Sequence, residues 1–202
     1  MRKSGRAIVI SLFVLVAICF FSCKKIISDR QELMIYINDP GNGLKKTEQI
    51  EKIKTVLLYK PWQLIAVKQQ TINGKSKNSD PFKIKDKLFF VLSLSANNKE
   101  LLRQLPFGQY SEMVQVLAFR MNEFIDIVPD DKKAVEPQEC IFQQTYGMGI
   151  ANNLLIVFNK GQLMSADNLR VRVKEFGLNT GNLNFEIKTK DIKELRDIVL
   201  KN

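Results

Sequence analysis

The chain has 202 residues and a net charge of +10, from 31 lysines and arginines against 21 acids, and it contains no histidine. The lack of histidine excludes Ser-His-Asp and Cys-His nucleophile systems and removes the commonest metal ligand. The positive charges are scattered rather than gathered in one arm. Nucleic acid is therefore not an expected partner, whereas anionic lipid headgroups or envelope polymers suit such a surface.

Met1-Arg2-Lys3-Ser4-Gly5-Arg6 carries three positive charges and no acid, and Ala7 to Phe21 follows as an apolar run broken only by Ser11. This is the n-region and h-region order of a secretory signal. The run is shorter than the roughly 20 residues needed to cross a hydrocarbon core. Ser22 then places a small residue directly before Cys23. The stretch resembles the lipobox of bacterial lipoproteins, although Phe20 and Phe21 depart from its usual leucine. That resemblance implies a signal peptide over residues 1–22, diacylation of the Cys23 thiol and anchoring to a membrane. A single acyl chain holds only marginally, whereas two or three hold firmly. Loss of Arg2, Lys3 and Arg6 with the signal lowers the net charge from +10 to +7 and leaves Cys140 as the one free thiol. No internal disulfide is then available, so the core alone must hold the fold.

Residues 23–43 are expected to form the lipidated cysteine and its tether, beginning to order near Leu33. The Asp39-Pro40-Gly41-Asn42-Gly43 cluster is strong turn chemistry. A single globular domain is expected over residues 44–202. It opens with a strand in which Ile53, Thr55, Leu57 and Tyr59 alternate with their neighbours. Lys60-Pro61 ends that strand, and the proline suits the start of a short helix over Trp62 to Gln69. Residues 72–81 read as a polar loop. Lys87 to Leu94, apolar on both sides, reads as a central strand.

Lys99 to Gln104 is expected as a helical turn broken by Pro106-Phe107-Gly108, and Ser111 as the cap of a helix carrying Val114, Leu117 and Ala118. Near Phe119 the pattern turns to strand-like alternation through Met121, Glu123, Ile125 and Ile127, ending in an acidic loop over 129–139. Cys140 to Tyr146 and Asn153 to Phe158 flank the "GMGIAN" turn of a hairpin. Leu169, Val171 and Val173 alternate with Arg170, Arg172 and Lys174, and Leu183, Phe185 and Ile187 with Asn184, Glu186 and Lys188. Asp191 is expected to cap the closing segment. The result is an α+β fold, mainly antiparallel sheet of sandwich-like form with a few short packed helices.

Tyr59-Lys60-Pro61 after a strand, Cys140 leading through Phe142 to Thr145-Tyr146-Gly147, Phe176-Gly177 at a strand end, and Ile187 to Asp191-Ile192 as a close form a spaced set. In these elements the chain resembles a group of small, uncharacterised lipoproteins typical of Bacteroidota. The resemblance implies fold and address and carries no activity. Relatives often have "F-E-R" where this chain has Phe142-Gln143-Gln144. Some relatives also carry an acidic cluster just after the lipidated cysteine, associated with surface display. Here Lys24 to Ser28 separate Cys23 from the first acid, Asp29. The implied address is the outer membrane, facing the periplasm.

Asp130-Asp131, with Glu136 and Glu139, lacks the alternating oxygens and central glycine of an EF-hand loop and reads as a solvated acidic loop. Gly147-Met148-Gly149 lacks the spacing of a phosphate cradle and reads as turn glycine. No S-x-x-K element stands at a helix start. Trp62 and Phe107 are expected in the core, and Cys140 as a buried, inert thiol. No cofactor, metal or catalysis is expected. The function expected is a membrane-anchored structural or protein-interaction component of the cell envelope, the alternative being a small-ligand or glycan-binding lipoprotein. The candidate contact surface is the hairpin loop carrying Tyr146, Met148 and Ile150, residues of the kind that anchor interfaces.

Overall fold

Residues 27–65 and 84–200 are described by the computed structural model. Cys23, the signal region, the 72–81 loop and the end of the helix expected over Trp62 to Gln69 lie outside the described residues. The central strand is the one expected: β3 (Lys87–Ala96) buries Leu88, Phe90, Leu92, Leu94 and Ala96 at the period-two spacing of a pleated strand. It pairs antiparallel with β2 (Ile53–Lys60) on one side and with β7 (Asn152–Asn159) on the other. Beyond β2 lies β1 (Lys45–Ile50), beyond β7 lies β6 (Glu139–Gln143), and the short β4 (Lys99–Glu100) folds back onto the end of β3. Register brings Leu57, Leu92, Leu154 and Phe142 into one row across this sheet, and Tyr59, Phe90, Ile156 and Cys140 into the next. Phe90 meets Tyr59 and Phe158 edge-on, at ring-centroid distances of 5.7 and 6.1 Å, the geometry aromatic quadrupoles favour.

The second sheet has the order β5 (Ile125–Pro129), β8 (Asn168–Val173), β9 (Leu183–Lys188), again antiparallel throughout. Its inward rows are Ile125-Val173-Leu183, Ile127-Val171-Phe185 and Pro129-Leu169-Ile187, the alternation legible in the sequence. Both sheets feed one hydrophobic core, and the architecture is α+β.

The tether is shorter than expected. Helix α1 (Arg30–Asn38) begins at Asp29, whose carboxylate accepts the Glu32 N–H at 2.8 Å. Leu33 and Ile37, four residues apart on one face, are fully buried, and Ile27 and Leu44 join the same core. Arg30 donates to the carbonyls of Gln63 (3.2 Å) and Leu64 (3.4 Å). From Ile27 onward the chain therefore belongs to the domain. The turn cluster ends this helix in a single 3-10 turn closed by Gly43 at φ 73°, and does not form part of a free linker.

Three further expectations are corrected. Ser111 does not cap the next helix: Pro106-Phe107-Gly108 ends the expected turn, a 3-10 turn over Leu101–Gln104, and also starts α2 (Phe107–Gln115), which has Pro106 at its cap and Ser111 inside it. Proline's fixed φ and missing N–H suit a helix start. The strand expected from Phe119 begins only at Ile125. Helical winding continues through a π-type turn (Val116–Arg120) and α3 (Met121–Phe124), because Met113, Val116, Leu117 and Met121 form one buried helical stripe. Asp191 lies in the first turn of α4 (Thr189–Arg196), not at its cap. There the Thr189 hydroxyl donates to the Ala166 carbonyl at 2.6 Å.

Candidate functional site

The β6–β7 hairpin loop has a framework built from side chains behind it. Tyr146 (φ 49°) and Gly147 (φ 83°) turn the chain through two successive left-handed residues, and Met148 N–H closes the turn on the Thr145 carbonyl at 2.9 Å. Two features favour glycine at 147, its φ more than the space beside it, since the Arg103 tip can shift. Its φ favours glycine, and a Cβ there would stand 2.7 Å from the Arg103 guanidinium, which donates to the Gly147 carbonyl at 3.0 Å. From the other side the Glu100 carboxylate accepts the Thr145 hydroxyl and, at 2.9 Å, the Gly149 N–H.

The crest of the loop is apolar and open to solvent. Tyr146, Met148 and Ile150 are 84%, 87% and 79% exposed, so none of the three packs into the core. A fixed backbone thus carries three free apolar side chains. Phe107, expected in the core, is 94% exposed instead, because it occupies the first turn of α2 with nothing packed over it. Tyr110, one turn further along α2, is also exposed. Trp62 is half-buried, with the Lys85 ammonium 4.7 Å from its ring centre.

Between α2 and the hairpin lies a groove of about 500 Å³, whose walls include Glu100, Arg103, Tyr110, Phe142, Tyr146 and Asn152. Glu100 and Asn152 are only 3% and 2% exposed. Asn152 Oδ1 accepts the Leu102 N–H at 2.9 Å. Among the described residues, Glu100 Oε2 and Asn152 Nδ2 have no hydrogen-bond partner.

Register locates this site in the fold. The loop precedes Asn152, which pairs with Leu94 near the end of β3. The other end of β3 starts at Lys87; Phe89 there pairs with Lys60, just before the Gln63 and Leu64 carbonyls that Arg30 holds. The segment leading back toward Cys23 and the exposed loop therefore sit at opposite ends of the sheet. Five residue steps along β3, Phe89 to Leu94, separate the two registers, about 17 Å at strand rise.

The acidic residues of 129–139 are used locally. Asp130 accepts the Asp167 and Asn168 N–H groups and is held below the usual carboxylate range by them, while Asp131 pairs with Arg170. Among the described residues no cluster of three or more metal-ligating side chains occurs. Cys140 is half-buried in the core-facing row at the sheet edge, and burial pushes its thiol up to about 12.

Sequence reasoning singled out the loop and missed Glu100, Arg103, Tyr110 and Asn152. Each sits in an unremarkable local context, and only strand register and the fold of α2 bring them together. A scan against protein-family models matches none, and searches of curated proteins and of solved structures find no similar chain.

Proposed function

We propose that this protein is a lipoprotein of the cell envelope, anchored through acyl chains on Cys23, that acts by presenting the β6–β7 end of its domain to a protein partner. The observation that supports this reading is the placement of Tyr146, Met148 and Ile150. They are exposed on a loop braced by Glu100 and Arg103, at the end of the sheet away from the segment that leads to Cys23. An anchored domain in this arrangement holds its apolar loop away from the bilayer, where aromatic and methionine side chains serve as interface anchors. The outer membrane's periplasmic face is the proposed address. Among the described residues, no helix is long and apolar enough to cross a membrane.

The test is cross-linked recovery of partners from cells carrying Met148→Ser with Ile150→Ser. Recovery should fall while the melting temperature stays near that of the parent, since both side chains already stand in water. Unchanged recovery would overturn the contact surface. In the same cells a labelled fatty acid should mark the parent and leave Cys23→Ala unmarked; equal labelling would overturn the anchor.

A further inference from the structure

We propose that the groove between α2 and the β6–β7 hairpin is a binding site for a neutral saccharide. Two deeply buried polar side chains point to this ligand chemistry. Glu100 spends Oε1 on the Thr145 hydroxyl and the Gly149 N–H, which leaves Oε2 as a free acceptor. Asn152 spends Oδ1 on the Leu102 N–H, and that bond fixes the amide so that Nδ2 is a free donor. Neither atom is sealed from solvent, so an acceptor and a donor without protein partners stand open on the wall of one groove and describe the group that would match them. That group both donates and accepts, as hydroxyls on a sugar do.

The remaining walls agree. Tyr110, Phe142 and Tyr146 offer ring surface for the C–H face of a pyranose, and the volume of about 500 Å³ lies in the range of small-ligand sites. A cationic ligand fits less well. It would satisfy the Glu100 acceptor, but it would leave the Asn152 donor unmatched and meet the Arg103 guanidinium on the same wall. An anionic ligand would meet the Glu100 carboxylate. Tyr146 belongs both to this groove and to the proposed protein contact, but Met148 and Ile150 are not among the groove's walls, so a variant at those two positions separates the readings.

The experiment is saturation-transfer NMR on the full chain in a detergent without a sugar headgroup. The probes are maltotriose, cellotriose and fully N-acetylated chitotriose, with Nα-acetyl-lysine methylamide as the cationic comparison. At least one trisaccharide should show transfer at millimolar concentration, and the cation should neither bind nor displace it. Glu100→Gln keeps an oxygen for Thr145 and Gly149 and turns the free acceptor into a donor. It should weaken the sugar at least about tenfold. Tyr110→Ala removes a half-exposed ring that makes no hydrogen bond among the described residues, so it tests binding even if Glu100→Gln folds poorly. It too should weaken binding, with an unchanged melting temperature. No transfer from any trisaccharide, preference for the cation, or full binding by Tyr110→Ala would each overturn the site. The Met148→Ser, Ile150→Ser protein should bind the sugar normally, so failure of the partner reading and failure of this one are told apart.

Discussion

Asp126 and Arg172 stand directly opposite each other on β5 and β8, and the arginine grips the carboxylate with both arms, Nε at 2.6 Å from Oδ1 and Nη2 at 2.8 Å from Oδ2. Lys174 adds a third contact at 3.4 Å. This is the outward face of the second sheet, so a buried acid lies under a roof of half-exposed basic side chains. Burial pushes the Asp126 carboxyl up, but the hydrogen bonds and charges of Arg172 and Lys174 outweigh it and hold the group below its ordinary value. A folded-state value below the unfolded one stabilises above the unfolded value, near 3.9, and that stabilisation is lost as pH falls through the folded value. Asp126→Asn should cost about 1–3 kcal/mol at neutral pH, reduced from the fully buried case because the partners are partly in water. Chemical denaturation checks this, and a cost under about 0.5 kcal/mol would mean the pair is ornamental.

Glu175 is predicted to organise the turn between β8 and β9. Its carboxylate accepts the N–H groups of Gly177, Leu178, Asn179 and Gly181 at 2.6–3.0 Å, and the Thr180 hydroxyl at 3.3 Å. Burial raises its pKa, but these four backbone donors together more than offset that. Glu175→Gln replaces one acceptor oxygen with a donor and should destabilise by about 1–2 kcal/mol at pH 7. The sign again follows a depressed acid. The gap between parent and variant should be constant above about pH 4.3 and close as the pH drops below it. A gap that persists undiminished at low pH would assign the effect to shape instead of charge.

Leu33→Ala and Ile37→Ala test where the domain begins. Both side chains are fully buried in the common core, so each truncation should cost about 2–5 kcal/mol. A free tether in this region would give melting curves indistinguishable from the parent's.

Cys140 should behave as an inert thiol. Burial pushes it up to about 12, so almost no thiolate is present at neutral pH, and thiolate is the reactive form. A thiol reagent is expected to modify it slowly in the native protein and rapidly in denaturant; fast stoichiometric modification of the native fold would point to a chemical role.

The strands were legible where a buried face alternates with a polar one; β1 (Lys45–Ile50), which buries no residue, went unread. β8 and β9 alternate residue by residue because their outer rows are charged, and β3 announced its central place by being apolar on both sides. The hairpin was equally plain, since its glycines mark a turn between two apolar runs. Legibility failed where helix and strand share an apolar pattern. Met121 fits alternation as well as it fits a helical stripe, and only its burial beside Met113 and Leu117 decides for the helix. The segment at 27–43 looked like a linker because its three buried side chains, Ile27, Leu33 and Ile37, are too few to signal an amphipathic helix until a sheet is there to receive them.

Sequence alone determined the α+β class, the hairpin and its exposed-loop candidates Tyr146, Met148 and Ile150, since these rest on periods and turn chemistry within a dozen residues. Tertiary structure decided that those three side chains face water, that Phe107 does too, and that Glu100 and Asn152 share a groove with Tyr110. Glu100 and Asn152 lie 52 positions apart, and nothing in either neighbourhood refers to the other. What joins them is the antiparallel register of β4, β3 and β7, which sets Glu100 beside Ser95 and Asn152 beside Leu94, neighbours along one strand.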